Sequence, residues 1–359
     1  MIPLVDTRIS GALATELSHG FDAMLETGQW IGGAAVEQFE QVWAAHCHAK
    51  ECVGVSSGTD ALRLALLAAG LEPGQEVIVP ALTFVGTWEA IIQAGGDPVP
   101  VDVRERDGTL DASLIDRACS RRTAFVIPVH LYGGLADMRA IASAAPGVPI
   151  IEDACQAHGA TRDWKSEAAA YSFYPSKNLG ALGDAGAIVT DNAALASRIR
   201  RLRQHGEVSR YHHEDVGYTA RLDAIQAFAL SRKLPYLASW NKARAATAET
   251  YTEQLAGIGD LVLPNPQEVW HLYVIRTANP DGLALHLAGL GVGSGRHYPV
   301  PVPFAPAYAC YGYLRGDFPV AELIASRCLS LPLFPGITES QIDQVCDAVR
   351  SWFRCVISA

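Results

Sequence analysis

The feature that most constrains this chain is an alternation that starts near residue 50. A short apolar run rich in β-branched residues gives way to a turn signal and then to a stretch with helical periodicity, and the unit recurs. Cys52-Val53-Gly54-Val55 passes through Ser56-Ser57-Gly58-Thr59-Asp60 into a helix over Ala61–Ala69 that stops at Gly70. Pro73-Gly74 turns the chain into a strand at Val77–Val79. Further strands are expected at Val99–Val103, Ala124–Val129 and Pro149–Asp153, with helical segments around Thr87–Gln93, Ala112–Cys119 and Met138–Ala145 between them. Such a series predicts an α/β fold with parallel strands and helices on both faces of the sheet.

Beyond Asp153 two strands follow without a helix between them, Ala169–Tyr174 and Gly186–Thr190, and a long helical region runs from Leu222 to about Leu255. Pro264-Asn265-Pro266 marks the approach to a smaller α+β unit whose first strand is Trp270–Arg276. The expected division is a large domain over 1–255, with a helical segment at its start, and a small C-terminal domain over 256–359. At 359 residues the length suits one large domain or two.

Composition narrows the function classes. A formal charge of −10 leaves no long basic patch for a nucleic acid, so no nucleic-acid partner is expected. No apolar run reaches the ~18–20 residues of a membrane helix. Eight cysteines contain no C-x-x-C pair and no export signal precedes them, so reduced thiols and a cytoplasmic location are expected. His46-Cys47-His48 with Cys52 lies at the tail of an amphipathic helix without a second ligand cluster, so no metal site is expected. Gly291-Val292-Gly293-Ser294-Gly295 lacks dinucleotide-fingerprint spacing.

Three places carry chemistry. Gly54-Val55-Ser56-Ser57-Gly58 fits the G-x-S-x-G of a serine-hydrolase elbow, with Ser56 as nucleophile, but its strand comes first in the series whereas an elbow follows several strands. The same turn can instead open a helix whose free N–H groups at Gly58 and Thr59 hold a phosphate, or can be a plain tight turn. Asp153 ends a strand at the carboxyl edge of the sheet, where ligands of open α/β sheets collect, or it serves as a cap or salt-bridge partner. Lys177, one of only five lysines (50, 165, 177, 233 and 242), follows an apolar, aromatic strand. It either snorkels to solvent or sits in a low-dielectric site that makes it a usable amine. A phosphate cradle, an acid and an activated lysine together are what pyridoxal phosphate requires.

Nearly the whole chain also resembles the pyridoxal-phosphate-dependent nucleotide-sugar aminotransferases of the DegT/DnrJ/StrS group. The resemblance runs through Gly28–Gly33, S-S-G-T-D-A-L at 56–62, P-A-L-T-F at 80–84, V-H-L-Y-G at 129–133 and E-D-A-C-Q-A-H-G-A at 152–160. It continues through S-F-Y-P-S-K-N-L-G at 172–180, R-L-D-A-I-Q-A at 221–227 and H-Y-P-V-P at 297–301. It implies the aspartate-aminotransferase fold, fold type I, a three-layer sandwich with a mostly parallel mixed central sheet. It also implies roles for individual residues. Lys177 would be the Schiff-base lysine and Asp153 the partner of the pyridine nitrogen, Gln156 would bond the ring oxygen, and Phe84 would stack on the ring. Gly58, Thr59 and Ser172 would hold the phosphate.

The family's site lies at a homodimer interface, to which the neighbouring subunit brings an Asn; here Thr219 stands at that position. A shortened stretch between Ala160 and Tyr171 is a second departure. One family branch replaces the lysine with His and deoxygenates, so Lys177 argues for amination. The run Thr83–Trp88, Trp270–Tyr273 and His297–Pro301 resemble enzymes acting at C3 of dTDP-3-keto-6-deoxyhexoses in antibiotic-sugar pathways; action at C4 or on keto-inositols is the nearest alternative. L-glutamate is the expected amino donor, a nucleotide-linked keto-sugar the acceptor, and pyridoxamine phosphate the form between the half-reactions. His297 and Tyr298 are the expected substrate contacts, arginines are expected at the site, and a catalytically silent sugar-nucleotide sensor is the remaining class.

Overall fold

The computed structural model describes residues 1–161 and 166–357, with backbone only from 355. Its large sheet contains β1 (Glu51–Val55), β2 (Glu76–Pro80), β3 (Asp97–Val101), β4 (Thr123–Val126), β5 (Ile151–Asp153), β6 (Ala168–Ser172) and β7 (Gly186–Thr190). Two ladders, β3-β2-β4 and β5-β6-β7-β1, are joined by parallel bridges Val126–Ile150 and Val129–Asp153. Only β7 runs antiparallel to its neighbours, which makes the sheet mixed and mostly parallel.

The sheet is covered on both faces, and the two-residue period of β6 and β7 shows how. Ala168, Ala170 and Ile188 enter one core with the helices Gly58–Ala69, Val85–Gln93 and Ala193–Leu202. Ala169, Tyr171, Ala187 and Val189 enter the opposite core with the helices Ala34–His46 and Ala224–Lys233, around the fully buried Trp43. Trp88 anchors the first of these cores and donates its indole N–H to the carbonyl of Pro80 at 3.3 Å.

The long helical region expected from Leu222 is broken. Helix Ala224–Lys233 passes into a 3-10 turn at Leu234–Tyr236, and helix Leu237–Leu255 resumes after it. Pro235 has no N–H to continue the ladder, which accounts for the break. An exposed hairpin, β8 (Glu207–Ser209) with β9 (His212–His213), projects before this region.

A second core gathers around the antiparallel pair β10 (Tyr273–Arg276) and β11 (Cys328–Leu331). It draws Ala248, Tyr251 and Leu255 from the long helix and Ile2 from the N-terminal segment, which bridges Val292. Gly133 adopts φ +105, and a Cβ there would meet the carbonyl oxygen of Val269 at 1.9 Å. This close approach lets Tyr132 and Gly133 bond the backbone of Val269 and His271. Among the described residues no helix is long and apolar enough to cross a membrane.

Candidate active site

The carboxyl ends of β5 and β6 and the amino end of helix Gly58–Ala69 converge on a cavity of about 740 Å³, enough for a cofactor together with a second small ligand. Gly58, Thr59, Phe84, Asp153, Gln156, Ser172, Lys177, His297 and Tyr298 all line it. Residues from five separate stretches of chain are thus brought together.

The helix start is built for an anion. Ser57 is the N-cap, its hydroxyl accepting from the N–H of Asp60 at 3.1 Å, while Gly58 and Thr59 occupy the first turn, whose N–H groups have no intrahelical acceptor. Glycine is required at 58, since a Cβ would lie 2.6 Å from the Cβ of Ser172 and 2.9 Å from the sulfur of Cys155. At Gly86 a Cβ would meet the Thr59 hydroxyl at 2.7 Å. These crowded contacts leave no room for a side chain at either position.

Asp153 is 5% exposed, and its carboxylate is fixed at both oxygens. Thr87 Oγ1 donates to Oδ2 at 2.8 Å and the backbone N–H of Cys155 donates to Oδ1 at 3.1 Å; Thr83 braces Thr87 at 3.0 Å. Burial pulls the Lys177 amine below its ordinary value, and the carboxylate of Asp153 opposes that pull. The residues after the lysine are pinned. Asn178 bonds the imidazole of His271 at 3.0 Å, the amide of Asn241 at 2.8 Å and the carbonyl of Trp270 at 3.1 Å, and Leu179 N–H donates to His158 Nδ1 at 3.1 Å.

Three imidazoles surround the amine, and all are kept neutral. Burial, followed by the charge of Lys177, lowers His158 to about 3, His297 to about 4 and His271 well below its usual value. Tyr132 organises the other wall from a left-handed backbone, φ 59. Its N–H donates to Gln156 Oε1 at 2.7 Å and its hydroxyl donates to the carbonyl of His297. Gln156 Nε2 donates to the Tyr298 hydroxyl at 3.2 Å, and Phe84, 52% exposed at the mouth, leans on Tyr298 with ring centres 5.9 Å apart.

Thr219 is not among the residues lining this cavity. It is exposed near the β8–β9 hairpin, its hydroxyl 3.1 Å from Nε2 of His205. The arginines expected at the site are also missing from this chain's described walls, where Lys177 is the one basic amine. Ser56 lies outside the cavity; its hydroxyl donates to Asp60, which pairs with Arg63 at 2.5 Å, and no imidazole approaches it among the described residues. That arrangement leaves the serine without a general base. The shortened stretch after Ala160 falls partly outside the described residues.

Sequence reasoning missed Thr87, His271, Leu4 and Val5, which line the cavity, and Tyr132 and His158, which brace its walls through Gln156 and Leu179. Thr87 lies in the first turn of the helix Val85–Gln93, close to Phe84 in sequence; nothing local signalled Leu4 and Val5, which arrive because Ile2 and Leu4 bond the backbone of Gly291, Gly293 and Leu333.

The profile of the DegT/DnrJ/EryC1/StrS aminotransferase family matches residues 12–350. The chain is 43% identical over 370 residues to the dTDP-3-amino-3,4,6-trideoxy-alpha-D-glucose transaminase of Streptomyces venezuelae, covering 100% of this chain and 98% of that protein. The crystal structure of S. venezuelae DesV in complex with a ketimine intermediate superposes with a TM-score of 0.94 at 42% identity, covering 98% of each chain. That of NtdA from Bacillus subtilis, with bound cofactor PMP, gives a TM-score of 0.92 at 32% identity, covering 98% of this chain and 84% of the other.

Proposed function

Because the chain belongs to the DegT/DnrJ/EryC1/StrS aminotransferase family, whose cofactor is pyridoxal phosphate, we propose that it moves an amino group from L-glutamate to C3 of a dTDP-3-keto-6-deoxyhexose, making an aminosugar for an antibiotic. When bound, the cofactor supplies an aldehyde that exchanges amines and a protonated ring that accepts an electron pair. The observation that carries the reading is the pairing of one desolvated amine, Lys177, with one fixed carboxylate, Asp153, beside a helix start shaped for phosphate.

Each residue then has a task. Gly58, Thr59 and Ser172 would hold the phosphate, and Asp153, held by Thr87 and Cys155, would partner the ring nitrogen and favour its protonated form. Gln156, oriented by Tyr132, would bond the ring oxygen, and Phe84 would cover the ring. Lys177 would hold the cofactor's aldehyde through its amine and would serve as the base and acid that moves the proton on the substrate's carbon. Its lowered pKa favours the uncharged form that both jobs need. His297 and Tyr298 contact the sugar.

The working unit is a homodimer in the cytoplasm. The partner subunit's Thr219 reaches the phosphate, and arginines from that subunit meet the carboxylates and diphosphate for which this chain's walls hold no arginine. Residues 1–255 and 256–359 act as the two lobes around the site. Incubation with glutamate and a panel of 3-keto and 4-keto nucleotide-sugars tests the reading: amination of the dTDP-3-keto-6-deoxyhexose first among them is expected, and preference for a 4-keto sugar or a keto-inositol replaces the acceptor.

A further inference from the structure

Behind the loop that carries Lys177 lies a second cavity, of about 320 Å³. It shares Val5, Ser176 and Lys177 with the active-site cavity, so the lysine stands in the wall between the two. Its character is cationic. Arg244 is 5% exposed, and its Nε and Nη1 have no hydrogen-bond partner. Lys233 is 7% exposed and donates to the carbonyl of Gly180, with no carboxylate paired to it among the described residues. Burial lowers Arg244 to about 10, and burial followed by the charge of Arg244 lowers Lys233 to about 8.

A third positive element enters from the N-terminal segment. The 17-residue helix Gly11–Thr27 begins in the cavity wall, where Ser10, Ala12 and Leu13 are exposed to it. Ser10 is the N-cap but its side chain makes no capping bond, and the first turn contains no acidic residue. The free N–H groups and the positive end of the helix dipole therefore face the same space as the two cations. The one carboxylate in the lining, Asp6, is already held by Arg8 at 2.5 Å. A buried guanidinium and a buried ammonium with no counter-charge are costly unless an anion joins them.

We propose that this rear cavity binds a small oxyanion of the phosphate class, held between Arg244, Lys233 and the amino end of helix Gly11–Thr27. The anion braces the segment from Pro175 to Gly180 and so fixes the lysine from behind. The site is separate from the cofactor cradle and holds whether or not the proposed sugar substrate is correct.

Holoenzyme, whose cofactor phosphate site is filled, is the material for the test. Crystals soaked in selenate are examined for anomalous scattering, and inorganic phosphate is titrated calorimetrically into wild type and into the variants Lys233→Met, Arg244→Met and Ala12→Glu. The expected results are a selenium peak within hydrogen-bonding reach of Arg244 and Lys233, and phosphate affinity at least tenfold weaker in Lys233→Met. Ala12→Glu puts a carboxylate at the helix start; it is expected to abolish phosphate binding and raise the melting temperature, so it decides the matter even if the two core variants fail to fold. No peak in the cavity, or phosphate binding unchanged in Ala12→Glu, overturns the proposal. A peak without binding in solution means an adventitious ion only and overturns it equally.

Discussion

The two cavities that meet at Lys177 have opposite electrostatic characters. The front one, which contains Asp153, is walled in part by two imidazoles, His271 and His297, that burial keeps neutral, and among the described residues its one basic amine is Lys177. The rear one gathers Arg244, Lys233 and an uncapped helix start. The contrast shows how one amine is made reactive. Burial disfavours the ammonium, while the carboxylate of Asp153 in front is bonded at both oxygens and aimed by Thr87 and Cys155.

The strongest way to break the contrast is to remove the amine. Lys177→Ala is expected to lower amino transfer by roughly 10⁴-fold or more, measured as 2-oxoglutarate formed from glutamate, while leaving phosphate binding in the rear cavity intact. Removing the front charge comes next. Asp153→Asn keeps the shape but cannot hold a proton on the ring nitrogen, and a loss on the order of 10²–10³-fold is expected in the same assay.

A smaller effect concerns the imidazoles. The folded protein keeps His158 unprotonated down to about pH 3, whereas an imidazole in the unfolded chain takes its proton near 6.5. The unfolded state therefore binds more protons in that window, and stability falls as pH drops from about 6.5 towards 3. His158→Gln should reduce the slope of unfolding free energy between pH 6 and 5, read from urea titrations, by up to about 1.4 kcal/mol per pH unit. The smallest effect is at the proposed subunit contact. Thr219→Asn, which supplies the longer amide, should tighten cofactor retention about fivefold in equilibrium dialysis, the worth of about one net hydrogen bond.

The front cavity was legible in the sequence because its parts are local signals: a glycine at a helix start, an acid at a strand end, a scarce lysine after an apolar strand. The rear cavity was not. Lys233 and Arg244 lie 11 positions apart across a proline break, in a region whose periodicity reads as one long helix, and their charges suggest a solvated face. They meet in the tertiary structure, where residues 5–10 of the N-terminal segment share the cavity wall with them. Helix Ala193–Leu202 was also missed, although Asn192 before it is a capping residue whose side chain accepts from Ala194 and Leu195 at 3.1 Å. Strand edges shifted by one to three residues, as in β3 at Asp97–Val101, because pairing with β2 and not side-chain character sets where that strand starts.

The most direct measurement is the absorbance of the purified holoenzyme as glutamate is added without any sugar. A visible cofactor band that fades with stoichiometric 2-oxoglutarate in wild type, and no 2-oxoglutarate from Lys177→Ala loaded with the same cofactor, is the predicted result. A wild-type protein that takes up no pyridoxal phosphate, or a Lys177→Ala variant that forms 2-oxoglutarate at the wild-type rate, would contradict it.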